Sequence, residues 1–142
     1  MFHTLLVAID GSEIGMNALD KAIELARGFK AHLHAVYVIE TGLISSVPID
    51  NTWEVIYSLL EKEGTEALDK AEKKAADAGI TLTKHLLSGH AGNEILSVAD
   101  EVNADLIIVG SRGKSPVDRL LIGSVSAHVV KYSNVSTMVV RV

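Results

Sequence analysis

Two glycine-containing segments near the carboxyl end of the chain have the composition of a phosphate-binding loop. Gly110 and Gly113 follow a wholly apolar run, and Gly123 stands immediately before Ser124. Glycine allows a ligand to approach the backbone closely and adopts positive φ angles, so several N–H groups in such a loop can turn toward one phosphate. Arg112 adds positive charge between the first two glycines. Together these residues favour recognition of a small phosphorylated ligand.

The residues after Gly123 have the pattern of a short helix, predicted over 124–132. The dipole of a helix favours negative charge at its amino end, and the hydroxyls of Ser124 and Ser126 can donate hydrogen bonds to phosphate oxygens. The Gly-Lys-Ser run at 113–115 lacks the glycine spacing of a P-loop, however. A glycine pair after a strand is often only a turn, so phosphate binding and a plain turn both remain open from these residues alone.

Histidine and aromatic residues suggest other chemistry, but their spacing supports it less well. His32 and His34 lie two apart on a predicted strand and share one face, where they could hold a metal. No third ligand is evident and no His-Glu-x-x-His or Gly-x-Ser-x-Gly pattern occurs, so we expect neither a side-chain metal site nor a serine hydrolase. Trp53 and Tyr57 could cover a ligand, although packing beside the long 40–52 loop is the commoner role for such a pair.

Alternating strands and helices are predicted to position these residues. Short apolar runs without polar alternation are typical of strands buried on both faces of a parallel sheet. Charged segments with apolar residues every three or four positions are typical of helices packed on such a sheet. The predicted strands are 4–9, 31–39, 80–87, 106–109 and 137–142, and the predicted helices are 13–28, 53–78, 92–102 and 124–132.

This order predicts an α/β fold, a three-layer open twisted parallel five-stranded sheet with helices on both faces, of the Rossmann-like kind. Ligands of such sheets collect beyond the carboxyl ends of the strands. Ser12 is predicted to cap the first helix and Gly28 to end it, and Gly64 could interrupt the second. The segments expected at the ligand-binding edge are 8–10, 38–40 and 110 onward.

Size and composition limit the kind of protein. The 142 residues, 48% of them apolar, suffice for one hydrophobic core, so we expect a single domain over 1–142. The chain has no cysteine and no apolar stretch near the roughly 20 residues of a membrane-spanning helix, which favours a cytoplasmic protein without a membrane partner. A net charge of -5 with scattered Lys and Arg argues against nucleic-acid binding.

At the glycine-rich segments the sequence resembles a known family. The pattern Gly110-x-x-Gly113, nine further residues and then Gly123-Ser124 is similar to the ATP-binding signature of the universal stress proteins. One departure is that the last strand lacks the proline with which relatives commonly begin it. Three further segments resemble the family, so the resemblance covers nearly the whole chain: 7–12, 103–110 and 121–126.

The resemblance implies the adenine nucleotide alpha hydrolase-like form of the fold and a site for ATP, with Mg2+ or Mn2+ held by the phosphates. Asp10 and the backbone of Ala8 and Ile9 would face the adenosine, with Val38 beside the adenine. From the residues alone, Asp10 could equally cap the first helix and Val38 could equally belong to the core. The residues implied around the ribose and phosphates are Gly110, Gly113, Gly123, Ser124, Val125 and Ser126, with the charge of Arg112 nearby.

The resemblance also implies a homodimer formed through the last strand, and a nucleotide-responsive regulator of the stress response with an unknown protein partner. ATP occupancy would change the 40–52 loop or the dimer. One alternative is a slow or partner-stimulated ATPase, for which only Asp10, Ser124 and Ser126 are placed to help. The other is a family member that binds no nucleotide and acts by protein contacts alone.

Overall fold

The computed structural model describes residues 1–43, 51–111 and 122–141. Within these residues a 3-10 turn, Thr41–Leu43, follows the second strand. The strands are β1 (Thr4–Ala8), β2 (His32–Glu40), β3 (Leu82–Gly89), β4 (Leu106–Gly110) and β5 (Ser136–Val140). The helices are α1 (Glu13–Phe29), α2 (Asn51–Asp77), α3 (Ala91–Glu101) and α4 (Ser124–Tyr132). The predicted alternation of five strands with four helices is confirmed.

The five strands form one sheet in the order β3-β2-β1-β4-β5, and every pairing is parallel. β1 lies at the centre, with β2 and β3 added on one side and β4 and β5 on the other. The predicted open parallel sheet is therefore confirmed. The order of the strands reverses at β1, and such a reversal leaves a crevice at the carboxyl ends of the neighbouring strands.

Two apolar layers hold the helices on the sheet. Leu5 and Val7 point into the layer under α1 and α2, whereas Leu6 and Ile107 point into the layer under α3 and α4, and all four are fully buried. Full burial of one such side chain stabilises the fold by about 1.5–3 kcal/mol. Because β1 and β4 are covered on both faces, their sequences show no polar alternation.

Two glycines have roles other than those predicted. Gly28 does not end α1, since the helix continues past it to a C-cap at Lys30, which adopts a φ of 55° and donates its N–H to Ala26 and Arg27. Gly64 does not interrupt α2. A Cβ at Gly64 would lie 2.8 Å from a side-chain carbon of the underlying sheet, so glycine is what lets α2 lie close to β2 and β3.

Charged side chains fasten α2 to the edge of the sheet. Lys84 of β3 pairs with Asp69 at 2.9 Å and with Glu72 at 3.2 Å. All three side chains are exposed to solvent, so these pairs contribute little to stability. Although α2 has 27 residues, no helix in the described part of the chain is both long and apolar enough to cross a membrane.

Candidate functional site

The carboxyl ends of β1, β2 and β4 meet at one edge of the sheet. β1 is paired with β2 on one side, with Ala8 opposite Val36, and with β4 on the other, with Val7 opposite Ile108. Parallel strands in this register end side by side, so the crevice is bounded by the residues that leave each strand. The segments gathered there are 8–10, 38–40 and 110–111.

The side chains at the carboxyl ends of β1 and β2 lie on different faces of the sheet. Ala8 and Val38 are half-buried against the layer under α3 and α4, whereas Ile9 is buried in the opposite layer. The N–H of Ile9 donates to the carbonyl of Val36 at 3.0 Å. Val38 is therefore a core residue that keeps part of its surface at the edge, which is compatible with both roles considered from the sequence.

Asp10 supports the start of α1. Its Oδ1 accepts hydrogen bonds from the backbone N–H of Ser12, at 3.0 Å, and from the Ser12 hydroxyl. Ser12 is the N-cap of α1, and its Oγ accepts the N–H of Gly15 at 3.1 Å. The predicted cap is thus confirmed for Ser12, with Asp10 behind it. Among the described residues the half-buried Asp10 has no partner for its Oδ2, which leaves one carboxylate oxygen at the crevice.

Hydrogen bonds join the start of α4 to the ends of β4 and β5. The N–H of Gly123 donates to the carbonyl of Ser111 at 2.6 Å, and the N–H of Ser111 donates to the carbonyl of Val140 at 2.9 Å. The hydroxyl of Ser126 donates to the carbonyl of Gly110. Ser111 and Ser126 are only 4% and 6% exposed. Ser126 therefore uses its proton inside the protein, where it holds α4 against β4.

The helices that start at this edge differ in whether their first N–H groups are already bonded. Ser12 caps α1, and the side chains of His90 and Glu40 accept N–H groups of the first turn of α3 at 3.2 and 2.9 Å. The N-cap of α4 is Gly123, in an extended conformation, and among the described residues no side chain caps this helix. A glycine N-cap leaves the first-turn N–H groups open to an external acceptor.

The amino end of α4 can therefore receive an anion. Ser124 and Val125 are exposed at the start of this helix, and the helix dipole adds partial positive charge to the N–H groups there. Phosphate and carboxylate groups are the anions that such a helix end binds in proteins. Acidic side chains stand across the crevice, because Asp10 and Glu40 follow β1 and end β2.

α4 is held from its other side by α3. The ring of His128 lies directly on Gly92, where an added Cβ would come within 2.5 Å of His128 Cδ2. Nε2 of His128 is 2.8 Å from Oδ1 of Asn93, and its ring makes an edge contact with that of His90, with centroids 5.0 Å apart. This contact fixes α4 one turn beyond Ser124.

The structure gathers most of the predicted site at this edge. Arg112 and Gly113 lie outside the described residues, as do residues 44–50 of the 40–52 loop. Trp53 and Tyr57 stack at 5.5 Å between ring centroids at the start of α2, and Tyr57 packs against the core. The predicted residues found at the edge are Ala8, Ile9, Asp10, Val38, Gly110, Gly123, Ser124, Val125 and Ser126.

Some residues that shape the site were not predicted from the sequence. Ser111, which joins β4 to both α4 and β5, stands between two glycines of the predicted signature and was passed over. The caps that His90 and Glu40 provide carried no signal, because Glu40 reaches α3 from 51 positions away along the chain. No group of three or more potential metal ligands occurs in the described part of the chain.

Comparison with known proteins gives consistent results. A sequence model of the universal stress protein family matches residues 1–141. A universal stress protein of Methanocaldococcus jannaschii is 35% identical over 141 residues, which span 99% of this chain and 83% of that protein.

Solved structures of universal stress proteins also align with this chain. Universal stress protein UspA from Lactobacillus plantarum aligns with a TM-score of 0.84 and 25% identity, over 98% of this chain and 97% of that one. A universal stress protein solved in complex with cAMP aligns with a TM-score of 0.76 and 27% identity, over 99% and 97% of the two chains.

Proposed function

Because this chain belongs to the universal stress protein family, we propose that it binds an adenine nucleotide, ATP above all, in the crevice between β1 and α4. In this proposal it is a cytoplasmic regulator of the stress response whose state depends on nucleotide occupancy. The observation that carries the proposal is the amino end of α4, where Gly123 is the N-cap and no side chain of the described residues caps the first-turn N–H groups. The related protein solved with cAMP supports the choice of an adenine nucleotide.

Each part of the nucleotide has suitable groups in the crevice. Phosphate oxygens would accept the N–H groups of α4 and the exposed hydroxyl of Ser124, with further charge from Arg112 and close backbone approach at Gly113. The free oxygen of Asp10 would accept a ribose hydroxyl. The half-buried side chains of Ala8 and Val38 offer apolar surface to the base. Mg2+ or Mn2+ would be held by the phosphates, with water completing its shell.

The hydrogen bonds favour nucleotide binding over hydrolysis. An ATPase needs a group that orients the attacking water, and Asp10, Ser124 and Ser126 were the candidates. The proton of Ser126 is taken by the carbonyl of Gly110, and one oxygen of Asp10 is taken by Ser12. Of the three candidates, the Ser124 hydroxyl and the second oxygen of Asp10 are left. These two groups are better suited to hydrogen bonds with a phosphate and a sugar hydroxyl than to orienting a water for hydrolysis.

A homodimer through β5 is part of the proposal. β5 is an edge strand, and its residues Met138, Val139 and Val140 are apolar and only half-buried. Unpaired edge strands of this kind readily pair with another chain. Light scattering coupled to gel filtration would measure the mass in solution, and a monomer at high concentration would refute this part.

The test of the nucleotide site is Gly123→Asp. Asp is a preferred N-cap residue, and the backbone of Gly123, with φ -61° and ψ 157°, accepts it, so α4 keeps or gains stability. The new carboxylate occupies the first-turn N–H groups and repels phosphate. We expect ATP affinity, measured by calorimetry, to fall at least about tenfold, which corresponds to about 1.4 kcal/mol, with no loss in melting temperature.

The matched control is His90→Asp, which introduces one negative charge at the already capped start of α3. ATP affinity there should change much less than in Gly123→Asp. Unchanged affinity in Gly123→Asp, or absence of ATP binding by the unaltered chain, would refute the proposed site. Phosphate release from ATP and magnesium over hours, lost in Ser124→Ala, would favour the ATPase alternative instead.

A further inference from the structure

Two histidines from neighbouring strands form a pair away from the proposed nucleotide site. His34 of β2 is paired with Leu6 of β1 and His85 of β3 with Val36 of β2, so both lie on the sheet face covered by α3. Nδ1 of His34 is 3.0 Å from Nε2 of His85. Both side chains are half-buried. The two rings meet nearly end to end, with centroids 5.2 Å apart, as expected for a hydrogen bond between the facing nitrogens.

We propose that His34 and His85 form a two-ligand site for a divalent transition ion of square-planar or octahedral preference, Cu2+ or Ni2+. The site is independent of nucleotide binding. Water or a small chelating molecule completes the coordination, because His34 and His85 supply two imidazole nitrogens and no group of three potential ligands is assembled among the described residues.

The separation of the two nitrogens is compatible with two neighbouring ligands of one ion. An ion about 2.1 Å from each nitrogen, at the observed 3.0 Å separation, is bound at an angle of about 90°. That angle is the one between neighbouring ligands in square-planar and octahedral complexes, which Cu2+ and Ni2+ prefer. The two ligands lie on paired strands, so binding requires that the rings turn until both facing lone pairs point at the ion.

The hydrogen bond between the two rings must be released when an ion binds. In that bond one ring donates its N–H to the facing nitrogen of the other. When an ion binds, that ring keeps one proton by moving it through water to its other nitrogen, and both facing nitrogens become ligands.

The experiment titrates the chain with Cu2+ nitrilotriacetate, a complex that leaves coordination positions for two imidazoles, at about pH 7.5. Every protein carries His3→Gln and no polyhistidine tag, because a histidine near the amino end can bind Cu2+ by itself. We expect one Cu2+ per chain, with an electron paramagnetic resonance signal that shows two imidazole nitrogens. His34→Gln and His85→Gln should each lower affinity at least about tenfold, since losing an outer-shell partner already costs ~10–100-fold.

The matched control is His32→Gln, which removes an exposed histidine from the same strand and face and should change affinity less than about twofold. Paramagnetic broadening of amide signals gives a second measurement that needs no substitution at the pair. Signals of 33–36 and 83–86 should broaden first. Equal affinity in the His34→Gln/His85→Gln double variant, or first broadening around His90 and His128, would overturn the proposal.

Discussion

Gly92→Ala tests how α4 is held in place. Gly92 lies in the first turn of α3 and is buried under His128. An added Cβ would lie 2.5 Å from Cδ2, 2.7 Å from Cγ and 3.1 Å from Cβ of His128. Because the close atoms include the base of the ring and the Cβ, rotation of the ring cannot relieve all of the overlap. α4 must move away from α3.

Two opposite terms decide the effect on stability. Replacing glycine by alanine inside a helix gains at most about 0.5–1 kcal/mol. Overpacking of a closely packed site costs about 1–3 kcal/mol. We expect a net loss of about 1–2 kcal/mol, which for a domain of this size lowers the melting temperature by about 3–7 °C.

The matched control is Gly28→Ala. Gly28 also lies inside a helix, α1, but a Cβ there would meet no atom within 4 Å. Alanine should therefore raise the melting temperature by about 2–3 °C. Both variants are compared by calorimetric melting. Urea unfolding then checks that the dependence of the unfolding free energy on urea concentration is unchanged.

A double-variant cycle separates this contact from a general effect on α3. In a His128→Ala background the two closest overlaps, with Cδ2 and Cγ, are gone and only the 3.1 Å contact with Cβ remains, so Gly92→Ala should cost about 1–2 kcal/mol less there. If Gly92→Ala stabilises the protein as Gly28→Ala does, or if the cost is the same with and without His128, the described contact between α3 and α4 is wrong.

Ser126→Ala removes the buried donor to the carbonyl at the end of β4 and should cost about 1–3 kcal/mol in urea unfolding; Ser126→Thr keeps the hydroxyl, and equal stability of the alanine and threonine variants would contradict the bond. The pKa of His34 is lowered, chiefly by burial and then by His85 and His32. As the pH falls below about 6.5, the His34 ring binds a proton in the unfolded chain but not yet in the folded chain. The folded state is therefore at its full stability above that pH and loses stability as the pH falls below it. Between about pH 8 and 5 the melting temperature should fall less steeply with pH in His34→Gln than in the unaltered chain. An identical fall in both proteins would contradict a lowered pKa for His34.

The fold could be predicted because its strongest signals are local. The apolar runs of β1 and β4 have no alternation since both faces of these strands are covered, and the periodic helices between strands leave few other topologies. Boundaries were less accurate. Gly28 was expected to end α1, but Lys30 adopts the left-handed conformation instead, a position that the local pattern does not distinguish.

The parts of the site that the sequence did not predict depend on contacts between distant residues. The glycines and serines of 110–126 are close in sequence and were recognised. That Ser126 binds the carbonyl of Gly110 could not be predicted, because its hydroxyl could equally face a ligand. His34 and His85 are 51 positions apart, so His32 was considered as the partner of His34 instead. Only the register of β2 on β3 brings the second ring into reach.

The hydrogen bonds of Ser111 connect the proposed nucleotide site with the proposed dimer edge. Its carbonyl accepts the N–H of Gly123, at the start of α4, and its N–H donates to Val140, at the end of β5. A phosphate bound at α4 would contact the same helix start that Ser111 holds, and a shift of that helix could reach the end of the edge strand through these two hydrogen bonds. A ligand changes an equilibrium only through unequal contacts in two states. In this chain those contacts would be the N–H groups of α4, and β5 would transmit the difference to a second copy.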